Sequence, residues 1–243
     1  MNNLGKLFGI GVGPGDPELL TLKAVRMINE ADVIFTAAST KNSYSLAVEI
    51  ARPHIGKGAT IRSLSFTMIK DKEKSAAAWD SNARMIAEVL EQGKNAAFLT
   101  LGDPMTYSTY GYVLKSLKNV MPHAVVETVP GITSFHAAAA RLNRTLVEAE
   151  ESLLITSGAY GGEPLRKSMD GVENVVLLKA YKNTADINAA LRDTGLFENA
   201  VAISKCSREG EAIINDLNDL ESRDPDYWTL ILASKSTTAT LKG

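Results

Sequence analysis

Three short segments carry residue types and spacings suited to chemistry. In Gly9-Ile10-Gly11-Val12-Gly13-Pro14-Gly15-Asp16-Pro17, glycines follow an apolar run and precede a helical pattern, an order that can cradle phosphate on free N–H groups. Pro14 and Pro17 have no N–H to offer, and Asp16 would set a carboxylate against the phosphates. The acid such sites carry about 20 residues further on, at the end of the second strand, is also missing, since Asp32 precedes that strand. A pyrophosphate site is therefore disfavoured. Either the loop is only a tight turn, or its lack of side chains leaves room beside Gly13, Pro14 and Gly15 for a large flat ligand. Asp16 has the type and place of a helix N-cap, with Pro17 in the first turn.

The second segment, Leu101-Gly102-Asp103-Pro104-Met105, follows a buried apolar run, where backbone groups are reachable and suited to a charged amino-acid moiety; otherwise Asp103 closes a Gly-Asp-Pro turn. The third, Val129-Pro130-Gly131-Ile132-Thr133-Ser134, opens a helix, so the hydroxyls of Thr133 and Ser134 either cap it or bond a ligand. His54, His123 and His136 are scattered and Cys206 is the single cysteine. No metal-ligand spacing and no internal disulfide follow.

These loops need a frame. Apolar runs at Leu7–Val12, Val33–Thr36, Ala59–Ser65 and Ala96–Leu101 alternate with helical patterns at 17–31, 44–51 and 75–92, and a helix over 112–118 follows. A second series begins at Val125–Val129 and continues with a helix over 131–142 and strands at 153–156, 175–178, 200–204 and 228–233, with a helix over 187–191 between. The alternation predicts the α/β class with a mostly parallel sheet covered on both faces. The polar stretch 119–124 divides the chain into units 1–120 and 121–243.

The chain has 243 residues, 26 Lys plus Arg against 28 Asp plus Glu, and a formal charge of -2. That balance lacks the basic excess that tracks a phosphate backbone, so no nucleic-acid partner is expected. No run of 18 apolar residues suggests a membrane span, and neither a secretory signal nor paired cysteines speak against a reducing cytoplasm.

The string Gly11-Val12-Gly13-Pro14-Gly15-Asp16-Pro17-Glu18-Leu19-Leu20-Thr21-Leu22-Lys23-Ala24 resembles the amino-terminal signature of the tetrapyrrole methylases; the second segment resembles that family's Gly-Asp-Pro loop and the third its Pro-Gly-Thr segment. Longer strings, 66–71, 98–110 and 134–142, are similar to members acting on carbon 20 of precorrin-2 or cobalt-factor II in cobalamin synthesis. Thr67 and Ile69 depart from that pattern, and Leu178-Lys179-Ala180-Tyr181 replaces the Tyr-Met pair of uroporphyrinogen-methylating relatives.

The resemblance implies two α/β domains with a cofactor cleft between them, usually in a homodimer, and S-adenosyl-L-methionine as methyl donor to a small-molecule tetrapyrrole. It assigns the donor to Leu101, Gly102, Asp103, Thr106 and Tyr107, with Thr133 and Ser134, and its adenosine side to Lys179, Ala180, Cys206 and Ser207. Lys41 and Ser43, in the 37–44 loop, join Gly13, Pro14 and Gly15 as candidates for the carboxylated acceptor. An aspartate after the second strand is a proposed base in uroporphyrinogen-methylating relatives, but Ala37 stands there. Tyr107, Tyr110 and Asp16 are then the groups to test for proton removal. Methylation elsewhere on the macrocycle, a diphthine synthase-like protein methylation, and a regulatory module that only binds adenosine compounds are the alternatives.

Overall fold

The computed structural model describes residues 4–38, 45–66, 72–168 and 170–235. Two compact units divide the chain, Met1–Thr133 and Ser134–Gly243.

In the first unit, β1 (Lys6–Gly11), β2 (Val33–Ala38), β3 (Thr60–Ser65), β4 (Ala96–Thr100) and β5 (Val125–Val129) form one parallel sheet ordered β3-β2-β4-β1-β5. Alternate residues go to opposite faces. Phe8 and Ile10 join Ile34 and Leu99 in a core with α1 (Leu22–Glu30) and α2 (Leu46–Ala51), while Leu7, Phe35 and Phe98 join α3 (Lys72–Glu91) and α4 (Tyr110–Val120) on the other side. Cover on both faces is why β4 reads as one apolar run.

Two expectations need correction. Val125–Val129 pairs with β1 and completes the first sheet rather than opening a second series, because a parallel edge strand and the first strand of a new sheet carry the same apolar pattern. The helical stretch 17–31 is broken: Asp16 caps a single 3₁₀ turn, Pro17–Leu19, and Thr21 then accepts from the Ala24 N–H to start α1. Each N-cap supplies an oxygen to an otherwise orphaned donor.

The second unit starts with α5 (Ser134–Arg141) and builds a sheet from β6 (Leu153–Ser157), β7 (Asn174–Leu178), β8 (Ala200–Ser204), β9 (Ala212–Ile214) and β10 (Thr229–Ser234), ordered β6-β7-β10-β8-β9. Helices α6 (Glu163–Ser168) and α7 (Thr184–Asp193) pack on it. Only β6 and β7 are parallel; β10 runs antiparallel to both its neighbours, and β9 to β8. This sheet is mixed, contrary to expectation. A fully buried run such as Leu230–Ala233 reads the same in either direction, so its sense is invisible in sequence.

Candidate functional site

The three sequence segments meet at one edge of the first sheet. They follow β1, β4 and β5, which lie side by side and end in the same direction. The chain leaves β1 toward β2 over the α1 face and leaves β4 toward β5 over the α4 face. Adjacent strands with departing connections in opposite directions form a switch point, where open α/β sheets take ligands.

At that point backbones touch directly. Gly102 N–H donates to the Gly13 carbonyl at 2.7 Å, and Gly13 N–H to that of Gly102 at 3.3 Å. A Cβ on Gly11 would strike the Gly102 carbonyl oxygen and lie 2.8 Å from the Gly131 backbone; one on Gly131 would meet the same oxygen and lie 2.8 Å from Gly11. Glycine at these two positions is thus required by close approach. Gly102 has φ +68, with open space where a side chain would project.

Asp103 fastens this arrangement. Its Oδ1 accepts from the Met105 N–H (2.9 Å) and the Thr106 hydroxyl (3.2 Å), and its Oδ2 accepts from the Gly131 N–H at 3.1 Å. The carboxylate both closes its own turn and ties the second segment to the third, across 28 residues of sequence. Ser108 accepts from Tyr110 N–H and pairs with Thr100, fixing the end of the loop.

The tyrosines separate. Tyr110 is fully buried, its ring filling the space left by Gly9 and its hydroxyl bonded to Thr128 at 3.0 Å. Burial pushes its phenol above the usual range, the Thr128 bond opposing in part. It belongs to the core and is withdrawn as a catalytic candidate, because no acceptor reaches a group under the sheet. Tyr107 is 58% exposed on the loop, in a left-handed conformation with φ 50, a strained backbone of the kind that gathers at ligand loops. Asp16 is committed to the Glu18 N–H at 2.8 Å. Pro14 is buried beside the half-buried Gly15, Thr133 is buried, and Ser134 is the first residue of α5. Lys41 and Ser43 lie outside the described residues, as do 67–71.

In the second unit, Lys179 and Ala180 follow β7, and Cys206 and Ser207 follow β8. Both strands flank β10 and end at the same edge. Lys179, Lys205 and Ser207 all have positive φ. Ala180 is buried and donates to the Thr229 carbonyl. Cys206 is buried, which pushes its thiol upward and away from nucleophilic use. Ser207 N–H donates to Glu211, whose other oxygen takes the Arg141 Nε at 2.7 Å. Arg141 is thus half of an ion pair, while the half-buried Arg144 donates to the Asn199 carbonyl and to Ser234. Sequence reasoning missed Glu211, Arg208, Tyr227 and Trp228 at this edge, since their only signal is proximity.

The family pattern of the Tetrapyrrole (Corrin/Porphyrin) Methylases matches residues 6–221. The chain belongs to this family. It is 33% identical over 232 residues to a cobalt-precorrin-2 C(20)-methyltransferase of Salmonella typhimurium, covering 95% of this chain and 97% of that one. A probable cobalt-precorrin-2 C(20)-methyltransferase of Methanocaldococcus jannaschii is 41% identical over 180 residues, 74% of each chain. Among solved structures, the uroporphyrin-III C-methyl transferase of Thermus thermophilus complexed with S-adenyl homocysteine shares the fold with TM-score 0.70 and 22% identity, over 95% of this chain and 92% of that one. The two-unit α/β architecture is therefore that of the tetrapyrrole methylases.

Proposed function

We propose that this methylase transfers the methyl group of S-adenosyl-L-methionine to carbon 20 of precorrin-2 or its cobalt-bearing counterpart, in cobalamin synthesis. The observation that carries the reading is the convergence of Gly13, Gly102, Asp103 and Gly131 at the switch point of the first sheet. The 33% and 41% identical relatives support carbon 20 as the position.

The residues present fit such a cofactor. The open space beside Gly102 admits a ligand against peptide groups, and Asp103 holds the loop rigid. When bound, S-adenosyl-L-methionine supplies a methyl group on a positive sulfur, whose charge disappears as the bonding pair stays behind. A free carboxylate close to that sulfur would favour the ground state over the transition state. Asp103 avoids this by spending both oxygens on loop donors. We assign Leu101, Gly102 and Thr106, with Thr133 and Ser134, to the amino-acid end, and Lys179, Ala180, Cys206 and Ser207 to the adenosine side. Holding a meso carbon in line with the methyl is worth several kcal/mol, on the order of 7 or more when alignment is good. After the carbon–carbon bond forms, the meso carbon loses its proton; Tyr107, the exposed tyrosine of the loop, is the group to test there. We assign the enzyme a homodimeric state in a reducing cytoplasm.

Incubation with methyl-labelled S-adenosyl-L-methionine and, in parallel, precorrin-2 and cobalt-precorrin-2, followed by mass spectrometry with the label located on the ring, tests the reading. One labelled methyl on carbon 20 is expected. Label at another ring carbon, label on a protein substrate, or binding of S-adenosylhomocysteine with no transfer to either acceptor would each replace it.

A further inference from the structure

The chain reverses twice between Lys205 and Glu211. Arg208 N–H donates to the Lys205 carbonyl at 3.0 Å, and Glu211 N–H to the Arg208 carbonyl at 3.1 Å. Gly210, at φ +79, suits the second reversal. Lys205 at φ 52 and Ser207 at φ 62 occupy the left-handed region although neither is glycine. That conformation is costly for a residue with a Cβ and persists only where the surroundings hold it.

At Ser207 the hold comes from Glu211. One carboxylate oxygen accepts the Ser207 N–H at 2.8 Å, and the other accepts from Arg141 Nε at 2.7 Å. The Glu211 side chain is 19% exposed and that of Arg141 58%, so as an ion pair alone the contact is screened and contributes little. The stronger half is the charged oxygen on a backbone donor, and removing it would leave that donor unmatched. Arg141 supplies the anchor. It is the last residue of α5, whose first residue is Ser134. One carboxylate thus fixes the Ser207 peptide and moors it to the helix that carries Ser134.

We propose that Glu211 is a positioning residue for the adenosine side of S-adenosyl-L-methionine. It acts through Ser207 rather than on the ligand, holding the left-handed turn after β8 in the shape against which the nucleoside docks. This rests on the methylase reading and deepens its cofactor site. A side chain that only stabilised the fold would lower Tm and leave the affinity of folded protein unchanged; a positioning one changes that affinity.

S-adenosylhomocysteine, and methylthioadenosine, which keeps the nucleoside and lacks the amino-acid end, are titrated by calorimetry into wild type, Glu211→Gln and Glu211→Ala, in protein whose circular dichroism matches wild type. Glu211→Ala is expected to weaken both ligands by the same factor, on the order of tenfold. Glu211→Gln keeps a carbonyl oxygen for the Ser207 N–H and recovers part of the loss. In turnover, KM for S-adenosyl-L-methionine rises more than kcat falls, and KM for the acceptor stays within about twofold. Glycine at position 207 adopts the left-handed turn unaided, so Glu211→Ala costs less affinity in a Ser207→Gly background. Should Glu211→Ala not fold, the same cycle is read with Glu211→Gln, with a smaller loss. Unchanged affinities in the folded variants, a loss confined to S-adenosylhomocysteine, or an equal loss in both Ser207 backgrounds would overturn the proposal. If wild type still methylates a tetrapyrrole, such a result leaves the methylase reading standing; wild type that binds neither ligand removes both.

Discussion

Asp103 and Tyr110 show how two polar side chains seven residues apart serve one edge in different ways. Asp103 holds three donors from two loops, so its value lies in the geometry it imposes. Asp103→Asn keeps the size but replaces one acceptor oxygen with a donor, which cannot face both its own turn and the Gly131 N–H. Calorimetry should show S-adenosylhomocysteine binding weakened on the order of tenfold, or about 1.4 kcal/mol, with kcat/KM falling at least as far; unchanged affinity in a folded variant would mean that the tie to Gly131 is dispensable. Tyr110 makes a pH prediction. Burial holds its folded phenol above the ordinary tyrosine value of 10.0, so above that pH the unfolded chain releases a proton that the folded chain keeps. Stability is then whole below about pH 10 and declines as pH rises toward the folded pKa. Denaturant unfolding from pH 8 to 11 should show this alkaline decline reduced in Tyr110→Phe, which also loses about 0.5–1.5 kcal/mol at neutral pH with the Thr128 hydrogen bond.

At the scale of elements, β1 is built around absences. Gly9 admits the Tyr110 ring from α4, and Gly11 admits the Gly102 and Gly131 backbones. Gly9→Ala forces a methyl into a ring already packed against Phe98 at 5.9 Å between centres, and overpacking of this kind costs about 1–3 kcal/mol. Thermal unfolding should show a loss of several degrees, at roughly 2–4 °C per kcal/mol for a chain of this size. The same change in a Tyr110→Ala background should cost far less, because the ring is gone and the cycle isolates their contact. Equal costs in both backgrounds would place the strain elsewhere. The strands of the first sheet were legible because each is a short apolar run bounded by loop residues. The short elements of the second unit were not: β9 has three residues and α6 six, too few to show a period.

At the scale of the whole molecule, the residues assigned to the cofactor fall in both compact units, Leu101, Gly102, Thr106 and Thr133 in the first and Ser134, Lys179, Ala180, Cys206 and Ser207 in the second. Light scattering at micromolar concentration should give twice the mass of one chain, in line with the proposed homodimer; a monomer that still transfers methyl would show that the second copy is not needed for chemistry. The amino-acid sequence by itself determined the α/β class, the three glycine-bearing segments and their order along the chain, because glycine and proline limit the backbone locally whatever surrounds them. It also pointed to the family through those same residues. Only the tertiary structure decided that the three segments touch backbone to backbone, that β5 closes the first sheet, that β10 runs against its neighbours, and that Tyr110 is core while Glu211 holds the Ser207 peptide. Strand direction, strand order and the partner of a side chain arise from contacts between residues far apart in sequence, and a local pattern of apolar and polar residues is the same for each of the arrangements it could join.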